Sequence, residues 1–140
     1  MKKLLVFAAL TGLVFADVRI NPSELPAKVQ DFVKNTFLGL SITAAKQDYS
    51  EYELYLSNGA ELEFNKSGEW KEVKMPQGVD FKALELLITP AGALAINNSY
   101  PAQKVLKIER EWSGFELELD NDLEVFIDKK GNIISSKFDD

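Results

Sequence analysis

Laid over itself at an offset of 63 residues, the chain repeats its own pattern, and this restricts the fold more than any other feature. Tyr52–Leu62 (YELYLSNGAEL) aligns without a gap on Phe115–Val125 (FELELDNDLEV), and the match runs on through Phe64/Ile127, Asn65/Asp128, Lys66/Lys129 and Gly68/Gly131. Glu53, Leu54, Leu56, Asn58, Glu61, Lys66 and Gly68 each meet an identical residue. Upstream, Asn35 falls on Asn98, Phe37 on Tyr100 and Ile42 on Val105. Apolar positions stay in phase along the whole unit, which chance does not produce, so the chain reads as an internal duplication.

Each copy follows one order of elements. Leu25-Pro26 opens a segment with Val29, Phe32, Val33 and Phe37 at helical spacing, and Glu24 and Pro26 suit its first turn. In the second copy Phe81 to Tyr100 fills this place, with Leu84, Leu87 and Ile88 in phase. Thr89-Pro90-Ala91-Gly92 interrupts it, so two short helices are expected, the second starting at Pro90. Strands follow. Tyr52, Leu54 and Leu56 alternate with Glu51, Glu53 and Tyr55; Leu62 and Phe64 alternate with Glu61 and Glu63. Asn58-Gly59 between them suits a type I′ turn, whose central residues need positive φ, and Asn121-Asp122 does the same less well. Asn65-Lys66-Ser67-Gly68 and Asp128-Lys129-Lys130-Gly131 are the next turns, leading into Glu69–Val73 and Asn132–Lys137. Ile42–Asp48 and Val105–Glu111 supply a further strand before each hairpin.

The fold class is therefore α+β: two tandem units, each a helix or two short helices followed by an antiparallel meander of about four strands. The units span residues 17–75 and 76–140 and form one compact domain, with Met75–Val79 as the joint. The pattern leaves open whether the two sheets join.

Residues 1–16 stand apart. Met1-Lys2-Lys3 is a positive start, Leu4–Phe15 is apolar and uncharged, and Ala16 is a small residue before Asp17. That is the order of a secretory signal cleaved after Ala16. Twelve apolar residues are too few to cross about 30 Å of hydrocarbon, so no membrane insertion is expected after cleavage. The expected location is periplasmic or secreted. Removal leaves 124 residues with 22 acidic and 14 basic side chains.

Composition excludes much chemistry. There is no His and no Cys, so thiol nucleophiles, disulfides, Ser-His-Asp triads, Cys/His zinc sites and imidazole bases are out. A formal charge of −6 speaks against a nucleic-acid partner. Carboxylates remain, but Glu51, Glu53, Glu61, Glu63, Glu116, Glu118 and Glu124 alternate with apolar residues, as on a solvated sheet face. A domain spent on one helix–sheet core offers little room for a pocket, so no enzyme is expected. Asp120-Asn121-Asp122 and Asp128 lack the spacing and the closing Glu of a calcium loop and read as turn residues; no metal and no cofactor are expected.

The Leu-Pro opening, the Tyr-Glu-Leu-Tyr-Leu strand, Asn58-Gly59, the Glu-Leu-Glu-Phe-Asn strand, Gly68 and Trp70 resemble the PepSY-like family over Pro22 to Phe138. Its members are exported bacterial proteins compared by fold with a beta-lactamase inhibitory protein. The resemblance implies tandem units, an extracytoplasmic location, and binding or inhibition of proteins rather than catalysis. Two departures matter. Cysteine is absent, so no inhibitory contact carries over residue by residue. The second copy has Asp122 where the first has Gly and Ile133 where the first has Trp.

By alternation, the polar sheet face carries Tyr55 and Phe126 among the glutamates. Aromatic anchors in a charged field suit a protein-binding surface, and the acidic field suits a basic partner. The expected binding residues are Tyr55, Phe126, Glu53, Glu63, Glu118 and Glu124, on a non-enzymatic inhibitor or modulator of another envelope protein. The alternatives are a small-ligand sensor gripping its ligand between the two units, and a structural envelope component. Trp70 and Trp112 are expected to pack at the rim of the core. Lys46, Lys107 and Arg110 are expected to neutralise glutamates across strands.

Overall fold

A computed structural model describes residues 17–139; the expected signal segment lies outside them. Chain order is β1 (Val18–Ile20), a 3-10 turn (Pro22–Glu24), α1 (Ala27–Thr36), β2 (Ile42–Gln47), β3 (Glu51–Leu56), β4 (Glu61–Asn65) and β5 (Trp70–Lys74). Then come α2 (Phe81–Leu87), α3 (Pro90–Ser99), β6 (Val105–Arg110), β7 (Gly114–Leu119), β8 (Leu123–Asp128) and β9 (Ile133–Phe138). Mixed helix and antiparallel sheet place the protein in the α+β class. β1 and the 3-10 turn were not expected: three residues are too short to show a period.

Local chemistry explains the helix boundaries. Asn21 accepts from Ser23 N at 2.9 Å while Glu24 accepts from Asn21 N at 2.9 Å, a reciprocal cap before α1. Asp80 accepts from Ala83 N at 2.8 Å to start α2. Pro90 has no N–H to continue that helix, and Thr89 accepts from Gly92 N at 3.0 Å to start α3.

Among the described residues, nine strands form one sheet in sequence order, each antiparallel to the next. The question the sequence left open is answered at β5–β6, where Glu72, Val73 and Lys74 pair with Glu109, Ile108 and Lys107. Ala45, Leu54, Leu62, Val73, Ile108, Leu117 and Val125 follow one another across β2–β8 in a single cross-strand row. Each is fully buried. The helices cover this face with Val29, Val33, Leu84, Leu87, Ala93 and Ile96, which belong to the same core. Trp70 joins it, 3% exposed and stacked on Phe115 at 6.0 Å.

Trp112 does not join it. It is 92% exposed, because it sits in the turn closed by Glu111 N donating to Gly114 O, at 2.8 Å. The rim placement expected for Trp112 is corrected: an aromatic at a strand end is carried outward by the turn.

Irregularities recur along the chain. Register shifts interrupt β2–β3 at Ile42/Ala44 and β6–β7 at Val105/Lys107; others fall at Glu63/Phe64 and Phe126/Ile127. Asn65 Oδ1 accepts from Ser67 N and Glu69 N, both at 3.0 Å, and Asp128 Oδ1 from Lys130 N and Asn132 N, both at 2.9 Å. The last turn closes with the side chain singled out as a calcium candidate, and its backbone donors hold Asp128 below the usual carboxylate range.

Candidate functional site: the open face of the sheet

Side chains alternate along a strand, so the residues between the core rows point away from the helices. One row on this open face runs Arg19, Lys46, Glu53, Glu63, Glu72, Glu109, Glu116, Phe126, Ser135 across β1–β9. Five consecutive strands thus place glutamates directly opposite one another. At about 4.8 Å between strands, the acidic run is about 19 Å long. All five are half-buried. Like charges in direct register oppose sheet formation.

The row is only partly compensated, from its flanks. Lys71 pairs with Glu51 at 3.2 Å, Lys74 with Glu72 at 3.6 Å and Lys107 with Glu109 at 3.6 Å. Lys46 lies opposite Glu53 and stands over the Tyr55 ring at 5.5 Å. Arg110 neutralises a glutamate across the β5–β6 seam, as expected, but at the rim and outside the row: it pairs with Glu69 at 3.5 Å and stacks on Trp70 at 4.5 Å, whereas Lys107 pairs within its own strand.

Burial, and then the charges of Glu72, Glu51 and Glu53 against Lys71, push the Glu63 carboxyl from its ordinary 4.5 up to about 7. Burial raises Glu124, helped by a hydrogen bond with Glu116 and by Asp139. Burial alone would lower Lys107, but Glu109, Glu72 and Glu118 outweigh it and raise the ammonium. Burial and the Glu53 carboxylate raise the Tyr55 phenol.

A pH dependence follows for Glu63. Folded protein holds this proton more tightly than the unfolded chain, so folding takes up protons between about pH 4.5 and 7. Stability therefore falls as pH rises through this window, and the penalty is complete above it. Solvent screens a half-buried carboxylate, so Glu63→Gln is expected to stabilise by on the order of 1 kcal/mol at pH 8 and by much less at pH 5. Urea unfolding at both pH values checks this; an equal gain at both would show that ionisation is not the cause.

The expected binding residues share this face but do not converge. The Tyr55 hydroxyl donates to Glu53 Oε2 at 2.9 Å. Phe126 sits five strands away, about 24 Å, beside a recess of about 90 Å³ formed with Glu116, Glu124, Ser135, Ser136 and Lys137. Glu118 and Glu124 face each other across β7–β8, and with Lys107, Glu109, Glu116 and Asp139 they line a second recess of about 110 Å³. Glu63 lies between the two groups. Neither recess reaches the several hundred Å³ of a small-molecule pocket; each is the size of a side-chain head group. Glu72, Glu109 and Glu116 complete the row and were not among the expected binding residues. Alternation marks them in β5, β6 and β7, but only the β5–β6 pairing sets them beside the others. Among the described residues, Glu109, Glu111 and Glu116 also hold carboxylate oxygens within 4.8 Å of one another.

The family profile described as "Putative beta-lactamase-inhibitor-like, PepSY-like" matches residues 16–62 and 50–135. The chain belongs to the PepSY-like family. Its fold is shared by a Bacteroides thetaiotaomicron protein described as a "putative calcium-regulated periplasmic protein", 32% identical, TM-score 0.75, with 86% of this chain and 96% of that one covered. A Bacteroides vulgatus "putative periplasmic protein of unknown function" is 29% identical, TM-score 0.74, with 87% and 99% covered. A second protein from that organism is 31% identical, TM-score 0.71, with 86% and 96% covered. No curated protein matches the chain. This PepSY-like protein is, like these, periplasmic or secreted, and no described helix is long and apolar enough to cross a membrane.

Proposed function

We propose that this PepSY-like protein is a duplicated helix-plus-meander module, its units spanning 17–75 and 76–140, which acts by binding a basic protein on its open sheet face. The observation that carries the binding reading is the only partly compensated row Glu53–Glu63–Glu72–Glu109–Glu116, flanked by Tyr55 and Phe126. A row that costs folding energy, on a sheet face that no described element covers, is what an electropositive partner relieves. The duplication is supported by register shifts and capped turns that recur 63 residues apart, at Ile42 and Val105, Glu63 and Phe126, Asn65 and Asp128. The reading includes no catalysis: the recesses on this face are small, and its raised carboxyls, Glu63 and Glu124, follow first from burial and then from neighbouring acidic groups.

The test is a pull-down with the mature protein from a periplasmic extract at low and high salt. Retention at low salt and release at high salt is expected, lost when Glu53, Glu63 and Glu72 are all changed to Gln. Tyr55→Ala and Phe126→Ala are expected to leave the melting temperature within about 3 °C while weakening retention, since an anchor residue is worth about 2 kcal/mol. A large fall in melting temperature would make either ring a core residue. Nothing retained at low salt removes the reading. Calcium, named for the B. thetaiotaomicron relative, enters as an added arm, because divalent cations seek carboxylate oxygens and would compete for the row.

The alternative of a small-ligand sensor draws on a recess of about 580 Å³ on the helix side, lined by Lys82, Glu85, Leu86, Ile88, Pro90 and Phe115. It lies within the second half of the chain instead of between the halves. A thermal shift with a small molecule would favour it; a ligand at 100 times its dissociation constant adds about 2.7 kcal/mol. A structural envelope component would show neither response.

A further inference from the structure

The two edges of the sheet differ. β1 presents three residues, Val18–Ile20, and a short edge discourages further pairing. β9 presents six, Ile133–Phe138, five of them exposed. Its one charged side chain is Lys137, and Ile134 and Phe138 are 57% and 64% exposed. A six-residue edge with exposed apolar side chains and a single charge is a template for another strand.

The backbone of β9 sets the geometry of such a pairing. Asp139 N donates to Asp122 O at 2.8 Å, so Asp139 turns its polar groups toward β8. These groups alternate between inward and outward along an antiparallel strand. Phe138, opposite Leu123, and Ser136, opposite Val125, therefore turn their N–H and C=O groups away from the sheet.

We propose that β9 pairs antiparallel with β9 of a second copy of this chain, about a two-fold axis through Ser136, joining both molecules into one continuous sheet. The edge is self-complementary in this register. Ser136 of each copy faces the other, both with outward-pointing backbone groups, so they exchange two hydrogen bonds. Phe138 of one copy faces Ile134 of the other, so the exposed apolar side chains cover one another as a cross-strand aromatic–aliphatic pair. The interface uses the same patch on both molecules, as a closed dimer requires. Both open faces fall on one side of the joined sheet, so the acidic rows stay uncovered; the proposal stands apart from the reading of that face.

Sedimentation velocity on the mature chain from about 1 µM to about 500 µM tests it, the range in which a small, one-strand interface titrates. A shift from monomer to dimer is expected. Ser136→Pro removes an outward N–H, which an edge strand tolerates, and Ile134→Lys puts a charge into the apolar pair. Each is expected to raise the dissociation constant at least about tenfold, with little change in melting temperature in dilute solution. Hydrogen exchange on the unmodified chain is an independent reading: the Ser136 and Phe138 amides become protected only at the higher concentrations. A monomer across the whole range, a dimer indifferent to both substitutions, or amides equally exposed at both ends of the range would overturn the pairing.

Discussion

Gly114→Ala is expected to cost at least about 3 kcal/mol, a fall in melting temperature of about 10 °C. A methyl group built on Gly114 would stand 2.1 Å from the carbonyl oxygen of Ile127, 2.9 Å from Asp128 Cα and 3.0 Å from the Ile127 carbonyl carbon. These are backbone atoms of the neighbouring strand and have no rotamer by which to yield. The β7–β8 pair must therefore open where Gly114 meets Asp128 and Phe115 meets Ile127. Opening moves Ile127, which is fully buried, and loosens Phe115 from Trp70. Gly39→Ala is the control: its φ is +82° but nothing lies within 4 Å, so only backbone strain of about 1 kcal/mol is expected. Thermal unfolding of the two variants separates close approach from backbone conformation; equal losses would place the cost of Gly114→Ala in something other than crowding.

Phe64→Ala is expected to cost about 3–5 kcal/mol, enough to unfold much of the population near body temperature. Phe64 is fully buried on β4, between Tyr52 and Trp70 in cross-strand register, and takes the edge of Phe32 from α1 at 5.5 Å and 83°. Removing the ring leaves a void that sheet neighbours held by backbone bonds cannot close. Phe32→Ala is expected to cost less, because Phe32 is only partly buried. The double variant should recover about 0.5–1.5 kcal/mol relative to the sum of the two, the coupling of an edge-to-face pair. Denaturant unfolding of the four proteins measures this, and a coupling of zero would mean that α1 and β4 relax independently.

The order of elements was legible because it is written in short-range chemistry. Alternation around Leu54 and Leu62, helical spacing at Val29 and Val33, and Pro90 after Thr89 are each settled within a few residues. The candidate site was legible in its parts. Glu53, Tyr55, Glu63, Glu118, Glu124 and Phe126 do lie on one open face, because period-two alternation decides which side of a sheet a side chain takes. The distance between Tyr55 and Phe126, and the unbroken run from Glu53 to Glu116, were not legible. Both depend on β5 pairing with β6, two strands separated by two helices, and no local pattern states that contact. Trp112 was misread for a related reason: whether a ring at a strand end turns inward is decided by the turn that carries it.

By itself, the sequence determined the α+β class, the alternating faces, the turns at Asn65 and Asp128, and a chemistry without imidazole or thiol, because each depends on residue type and near neighbours. Only the tertiary structure decided that one sheet runs through the nine described strands, that five glutamates meet in one row, that Gly114 touches a backbone, and that β9 is a long edge with no described strand beyond it. Those are consequences of long-range strand register. A cross-strand neighbour is chosen by the burial of the whole sheet against its helices, and no stretch of chain records it alone.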